Sequence, residues 1–258
     1  MVASPSAPPS LGLLMLETRS LSELAAFFSL APALRLSPRG DGHSVLVLPG
    51  LAASDASTLV LRAFLRDRGY QPYGWGLGMN RGPRPGVEEA ARARLDQLAQ
   101  RHGRKVSLIG WSLGGIFARE LARAAPEQVR SVISLGSGFA IQPTATTVGP
   151  VFELLSGMKI DQWVDDEQAA IIRRPPPVPT TSIYSRTDGI VAWQGCLEQE
   201  GPQSENIEVR GSHSGLGHHP AALHAIADRL AQPEGAWKPF VRAGFRRLAF
   251  PEPHRNAA

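Results

Sequence analysis

Five residues near the middle of the chain, Gly110-Trp111-Ser112-Leu113-Gly114, restrict what the chain can fold into more than any other stretch. The apolar run 105–109 comes before them and predicts a buried parallel strand. The helix formers of 115–125 follow them and predict a helix that ends before Pro126. A serine between glycines on a sharp strand-to-helix turn is typical of a nucleophile elbow, which raises the serine oxygen above the sheet edge. We therefore predict that Ser112 is a catalytic nucleophile; the alternative is an incidental glycine turn.

Asp188 is the predicted acid that would orient the base. In the elbow arrangement the partners follow in the chain order serine, acid, histidine. Asp188 comes just after the strand-like run 181–185, at the strand end where doubly wound sheets keep their functional groups. The alternative is an ordinary Asp-Gly turn. The other downstream carboxylates considered lie in a polar segment that resembles a cap or within a predicted strand: Asp161, Asp165, Asp166 and Glu208.

Three histidines follow the last predicted strand, 206–210. His213 comes first, where a loop can bring an imidazole back over the sheet edge, and it is the predicted base. His218 is the second choice, and both His218 and His219 stand beside Pro220, which suits the first turn of a helix. Such a cluster also raises the alternative of a metal site. Because there is no cysteine partner and no i, i+4 histidine pair on a helix, we predict no metal site. The serine chemistry requires no organic cofactor, so none is predicted.

The predicted oxyanion hole uses backbone groups. The run 43–48 predicts an early core strand that ends at Pro49-Gly50-Leu51. In the elbow arrangement, one N–H donor comes from the residue after the nucleophile and the other from the loop after this strand. That predicts the amides of Leu113 and Leu51, with Gly50 allowing close approach to the substrate. The alternative is a simple Pro-Gly turn.

Taken together, these motifs make the chain resemble the α/β-hydrolase family, in particular its small bacterial lipase and esterase branch. Residues 211–216 are similar to the His-x-Gly-Leu setting of the catalytic histidine in small lipases, and the loop 75–83 looks like a loop near the site in that branch. The resemblance covers about 43–232. Many relatives carry His-Gly at the oxyanion loop where this chain has Pro49-Gly50, which keeps the backbone donor but loses any side-chain help. The motifs that carry the resemblance are Leu48-Pro49-Gly50-Leu51, Gly110-Trp111-Ser112-Leu113-Gly114-Gly115, Asp188-Gly189-Ile190-Val191 and Gly211-Ser212-His213-Ser214-Gly215-Leu216.

The organisation of the 258 residues agrees with that resemblance. Strand-like runs alternate with helical ones, which predicts an α/β fold with a mostly parallel, doubly wound sheet and helices on both faces. We predict an N-terminal helical arm over 1–42, one α/β domain over 43–232 and a basic C-terminal tail over 233–258. A small cap is predicted as an insertion at about 141–178, where it would contribute to the substrate pocket; its apolar residues are Phe152, Leu154, Leu155, Met158, Ile160 and Trp163.

The apolar stretch 11–34 raises the alternatives of a membrane span or a signal peptide. Its charges, Glu17, Arg19 and Glu23, argue against a spanning helix, and no basic leader precedes it. We predict a helix that covers the fold, and contact with a membrane surface stays open.

The net charge and the cysteine content argue against a nucleic-acid-binding protein and against a disulfide-bonded one. The net charge is +4 and no nucleic-acid motif accompanies it, so no nucleic-acid partner is predicted. The single cysteine, Cys196, excludes an internal disulfide and favours a cytoplasmic location.

The predicted function is a serine hydrolase that acts on carboxylic esters through an acyl-enzyme on Ser112. Its partner would be a small-molecule acyl ester or a lipid; the sequence predicts neither acyl chain length nor oligomeric state. Acyl transfer by the same three residues is the first alternative. A non-catalytic binding protein of the same fold is less favoured, because a retired site has no need of serine, acid and histidine together.

Overall fold

The computed structural model describes residues 7–140, 146–159, 166–244 and 246–252. Within these residues six strands form one sheet in which all neighbours are parallel, in the order β2-β1-β3-β4-β5-β6. The predicted α/β class with a mostly parallel sheet is confirmed. The strands are β1 Ser44–Leu48, β2 Gln71–Gly74, β3 Val106–Trp111, β4 Val129–Leu135, β5 Thr180–Tyr184 and β6 Ser204–Glu208.

Helices precede the sheet, connect its strands and follow it. In the N-terminal arm a 3₁₀ turn, Leu16–Arg19, joins two of the helices. The α-helices of the described residues are α1 Leu11–Met15, α2 Ser20–Ser29, α3 Ala31–Leu34, α4 Leu59–Asp67, α5 Val87–His102, α6 Leu113–Ala124, α7 Gly149–Ser156, α8 Asp166–Arg173, α9 Pro220–Leu230 and α10 Arg246–Ala249. Within that part of the chain, no helix combines the length and the apolar character that crossing a membrane requires.

The sheet separates two apolar cores, because successive side chains of a strand point to opposite faces. In β1, Val45 and Val47 pack with α4 and α9, whereas Leu46 and Leu48 pack with α5 and α6. All five residues of β1 are buried, as expected for a parallel strand covered on both faces.

Strand β2 is an element that the sequence patterns did not predict. It is four residues long and contains Pro72, which lacks the N–H that a central strand would need to donate. The strand order explains how proline fits, since β2 lies at the edge and pairs with β1 alone.

The segment predicted as a cap contains α7 and α8, and side chains contribute to holding it on the rest of the fold. Phe152 of α7 is buried. Arg119 of α6 donates to the carbonyl oxygens of Ile172 and Arg174, each at 2.9 Å, which ties the end of α8 to the helix that follows Ser112. The predicted cap residues Ile160, Asp161, Trp163 and Asp165 lie outside the described residues, as does residue 141 at the start of the insertion.

All strands of a parallel sheet end at one edge. The loops after β1, β3, β5 and β6 therefore meet there, and they carry Leu51, Ser112, Asp188 and His213. This edge is the place that the sequence predicted for the functional groups.

Candidate active site

Ser112 connects β3 to α6 in a backbone conformation that residues with a side chain rarely adopt. Its φ is 54° and its ψ is −123°. Its N–H donates to the carbonyl oxygen of Leu135 at 2.8 Å, which fixes the turn to the end of β4. A non-glycine residue with positive φ persists only where its surroundings hold it, and such residues cluster at functional sites.

The glycines around Ser112 are required by close backbone approach. A Cβ at Gly110 would collide with the backbone of Gly114, and a Cβ at Gly114 would collide with the carbonyl group of Leu48 at the end of β1. A Cβ at Gly50 would lie 3.2 Å from the Cβ of Ser112. The elbow therefore packs so closely against β1 and the loop after it that a side chain at Gly114 could not be accommodated.

Asn80 fixes the loop after β1 and was not singled out from the sequence, although the loop 75–83 that contains it was. Its side chain is fully buried, and Nδ2 donates to the carbonyl oxygen of Pro49 at 2.8 Å. Its backbone N–H donates to Ala53, and its carbonyl oxygen accepts the N–H of Ala52, which has a φ of 59°. These bonds surround Leu51, so they determine where the Leu51 amide lies.

The two predicted oxyanion donors, the backbone amides of Leu51 and Leu113, belong to the loop after β1 and to the elbow that packs against it. Leu51 follows Gly50, and Leu113 is the first residue of α6, where backbone N–H groups have no partner within the helix. Their role as an oxyanion hole stays a prediction.

Asp188 and His213 form a buried pair. Nδ1 of His213 lies 2.6 Å from Oδ2 of Asp188. The other carboxylate oxygen accepts the N–H groups of Ile190 and Val191, each at 2.8 Å, so the turn after β5 orients the acid. Burial disfavours the imidazolium, but the Asp188 charge, its hydrogen bond and the Glu17 charge outweigh burial and raise the pKa of His213.

The structure brings this pair to the elbow. A Cβ at Gly136 would lie 2.9 Å from Nδ1 of His213, and Gly136 directly follows the Leu135 whose carbonyl oxygen accepts the Ser112 N–H. On the other side, the indole N–H of Trp111 donates to the carbonyl oxygen of His213 at 3.0 Å. Ser112, Asp188 and His213 thus share one small region at the carboxyl ends of β3, β4 and β5.

The other two histidines of the loop have different surroundings. Nε2 of His218 lies 3.0 Å from the carbonyl oxygen of Ser20 in the arm. His219 immediately precedes α9, as predicted, and burial lowers its pKa. Among the described residues, no group of three or more His, Cys, Asp or Glu side chains could hold a metal ion.

Comparison with known proteins rests on structure, since no family model and no curated protein matches this sequence. The mature form of a Bacillus licheniformis lipase matches over 76% of this chain and 95% of its own, with a TM-score of 0.58 and 14% identity. A monoacylglycerol lipase of Paleococcus ferrophilus matches over 74% and 96%, with a TM-score of 0.54 and 19% identity. Lipase B of Aspergillus fumigatus matches over 76% of this chain, with a TM-score of 0.55 and 16% identity, and this chain spans only 54% of its length. The chain has the α/β-hydrolase fold.

A second Ser–His–Asp cluster lies at the opposite edge of this α/β-hydrolase sheet. Nε2 of His43 lies 2.9 Å from Oγ of Ser107, and Nδ1 lies 2.6 Å from Asp41. Ser107 is fully buried within β3 and lies 3.0 Å from the hydroxyl of Ser131, and burial lowers the pKa of His43. With its serine enclosed in the sheet, this cluster cross-links strand starts and has no access for a substrate.

The candidate site also receives side chains from the N-terminal arm. Glu17, Arg19 and Glu23, the charges that argue against a membrane span, bind the loops that carry Asp188 and His213. The sequence signal for this role was the presence of charged residues within an apolar helical stretch. Their partners could not be identified from it, because these lie more than 160 residues away in the chain.

Proposed function

We propose that this protein is a serine hydrolase that cleaves carboxylic esters through an acyl-enzyme formed on Ser112. The observation that carries the proposal is the buried Asp188–His213 pair, 2.6 Å apart, placed beside a serine whose φ is 54°. A paired imidazole beside a serine hydroxyl at a strand-to-helix turn is the arrangement that makes a serine oxygen nucleophilic.

In the proposed mechanism the Asp188 carboxylate accepts the Nδ1–H of His213, which leaves Nε2 as the basic nitrogen. Nε2 takes the Ser112 proton as Oγ attacks the acyl carbonyl carbon, and Asp188 stabilises the imidazolium. The amides of Leu51 and Leu113 would donate to the oxyanion, each contributing about 3 kcal/mol to transition-state stability. The imidazolium then protonates the leaving alcohol. Water attacks the acyl-enzyme by the same route, with His213 again as base.

Attack requires a neutral imidazole. Activity is therefore expected above the pKa of His213 and is lost as the pH falls through it. Because this pKa is raised, the acid limb of the rate profile should lie above the ordinary histidine value.

An acyl group is the proposed substrate portion because a cavity beside α6 has an apolar part to its lining. A cavity of about 480 Å³ lies where α6, the loop before α5 and the cap helices meet. Ile116 and Phe117, from the first turns after Ser112, form the apolar part of its lining together with Met158, Ile171 and Ile172. The rest of the lining includes charged side chains, namely Arg84, Glu88, Glu89 and Glu120. The similar structures, which are named as lipases, agree with an ester or lipid substrate. A cytoplasmic location stays a prediction that rests on the single, buried Cys196.

A panel of p-nitrophenyl esters of increasing acyl length, assayed beside a Ser112→Ala variant, tests the proposed function. We expect saturable release of p-nitrophenol by the wild type with a preferred acyl length, and background release by Ser112→Ala. An alcohol added as acceptor separates hydrolysis from transfer, because a transferase would form the new ester in place of the free acid. Release that is equal in the variant and the wild type would contradict the proposal.

A further inference from the structure

A carboxylate from the N-terminal arm lies between the two loops of the candidate site. Glu17 is 8% exposed although it belongs to an arm at the surface. Its Oε1 accepts the N–H groups of Gly189 and His213, each at 2.9 Å, and its Oε2 accepts the N–H of Ser214 at 2.8 Å. One of these donors directly follows Asp188 and the others belong to the histidine loop. A single side chain therefore connects the acid loop to the base loop.

Two further arm side chains hold the same loops. Arg19 donates to the carbonyl oxygens of Thr187 and Gly211 at 2.6 and 2.8 Å. Glu23 accepts the backbone N–H of Ser212 at 2.8 Å and also its hydroxyl. Together with Glu17, they bind a backbone group of every residue from 211 to 214.

The glycines of these loops fit the arm closely. A Cβ at Gly189 would collide with the carbonyl group of Leu13, and a Cβ at Gly215 would collide with the Glu23 carboxylate. Both glycines belong to the motifs that resemble α/β-hydrolases. In this chain they also make space for the arm against the loops.

Glu17 stays ionised at neutral pH in spite of its burial. Burial disfavours the carboxylate, but the hydrogen bonds from Ser214, Gly189 and His213 outweigh it and lower the pKa of Glu17. A negative charge is thus fixed beside His213, on the side of its backbone, while Asp188 binds the ring. Both charges favour the imidazolium that the proposed mechanism forms.

We propose, resting on the function proposed above, that Glu17 is a positioning residue of the active site. It holds the Asp188 loop and the His213 loop at one separation, and its charge supports the protonated ring. The N-terminal arm is then part of the catalytic apparatus, in addition to covering the fold.

The charged groups around His213 approach it from different elements of the fold. Asp188 faces the ring from the loop after β5, and Glu17 faces the His213 backbone from the arm. The remaining titratable or charged groups of residues 11–29 in the arm and of 211–219 in the histidine loop are Arg19, Glu23, His218 and His219. Glu23 offers a matched control, because it is also an arm carboxylate that accepts backbone N–H from the histidine loop, and it acts on the pKa of His219.

The test compares Glu17→Gln with Glu23→Gln in pH profiles of kcat and kcat/KM. Removing the Glu17 charge lowers the pKa of His213, so the acid limb should move down by about half a pH unit to one unit. Turnover on the plateau should fall about tenfold or more while KM stays within about twofold, because Glu17 orients groups without touching substrate. Glu23→Gln should lose less turnover and keep the wild-type acid limb. An unmoved limb in Glu17→Gln, or an equal movement in Glu23→Gln, would overturn the proposal.

A direct titration separates this proposal from the proposed function. In a Ser112→Ala background, the imidazole of His213 is titrated by NMR, with and without Glu17→Gln, after assignment with His213→Gln. A lower His213 pKa in the doubly substituted protein supports the role of Glu17 even if no ester is hydrolysed. An unchanged pKa contradicts it even if Ser112 is the nucleophile. Glu17→Asp, which keeps the charge but shortens the reach, should keep the acid limb and lose part of the turnover, so it serves if Glu17→Gln does not fold.

Discussion

Replacing His213 with alanine is expected to lower turnover by several orders of magnitude while the protein stays folded. The ring is the base of a unit in which serine, histidine and aspartate act together, so removing one member removes most of the benefit of the others. The measurement is kcat on the ester that the wild type hydrolyses best, with thermal unfolding to show that the fold is kept.

His218→Ala is the matched control for this prediction, because the two histidines share one loop. His218 is expected to matter far less, since its Nε2 lies 3.0 Å from an arm carbonyl oxygen while His213 lies beside Asp188. An inactive His218→Ala with an active His213→Ala would show that the wrong histidine has been assigned.

The second large effect is expected for Asp188→Asn, with a loss of about a thousandfold or more in turnover. An asparagine oxygen can still accept the N–H groups of Ile190 and Val191, so the turn should survive. The amide NH₂ would then face Nδ1 of His213 and favour the tautomer that carries its proton on Nε2, where it cannot accept one from Ser112. Turnover, far-UV circular dichroism and thermal unfolding of the variant are the measurements.

Near-wild-type turnover in a folded Asp188→Asn protein would mean that another carboxylate orients the base. Glu17 would be the first to test, because it accepts the backbone N–H of His213 at 2.9 Å. Asp161, Asp165 and Asp166, the alternatives from the sequence, would follow.

Local chemistry made the elbow and the strand-end residues predictable from sequence. The steric needs of a strand-to-helix turn are met within Gly110–Gly114, and each glycine there proves to face backbone. Strands β1 and β3 were recognisable because parallel strands buried on both faces are largely continuous apolar runs. Once the strands are known, their carboxyl ends must meet at one edge, which brings Ser112, Asp188 and His213 together without any knowledge of side-chain contacts.

The contributions of the arm and of Asn80 could not be predicted in this way. Glu17 binds N–H groups that lie 172 to 197 residues further along the chain, and no period or motif records such a contact. Its carboxylate also looks like an ordinary solvent-facing charge in a sequence. Asn80 acts on the Pro49 loop through a buried amide in an irregular segment. Pro72 concealed β2, because proline argues against a strand unless that strand lies at an edge, and the sequence does not say which strand is the edge.

Side-chain distances alone would not have identified the candidate site either. Ser107, His43 and Asp41 have distances that suit a catalytic unit, yet Ser107 is enclosed within β3 and Arg130 donates to Asp41 at 2.8 Å. What distinguishes Ser112 is its position at the strand end, its strained φ and the loops that converge on it.

The central claim, that Ser112 is the nucleophile, is tested most directly by labelling with a fluorophosphonate and locating the adduct by mass spectrometry. We expect one adduct per chain, on Ser112, with no labelling of Ser112→Ala and undiminished labelling of Ser107→Ala. Labelling that persists in folded Ser112→Ala, or an adduct on any other serine of the wild type, would contradict the account.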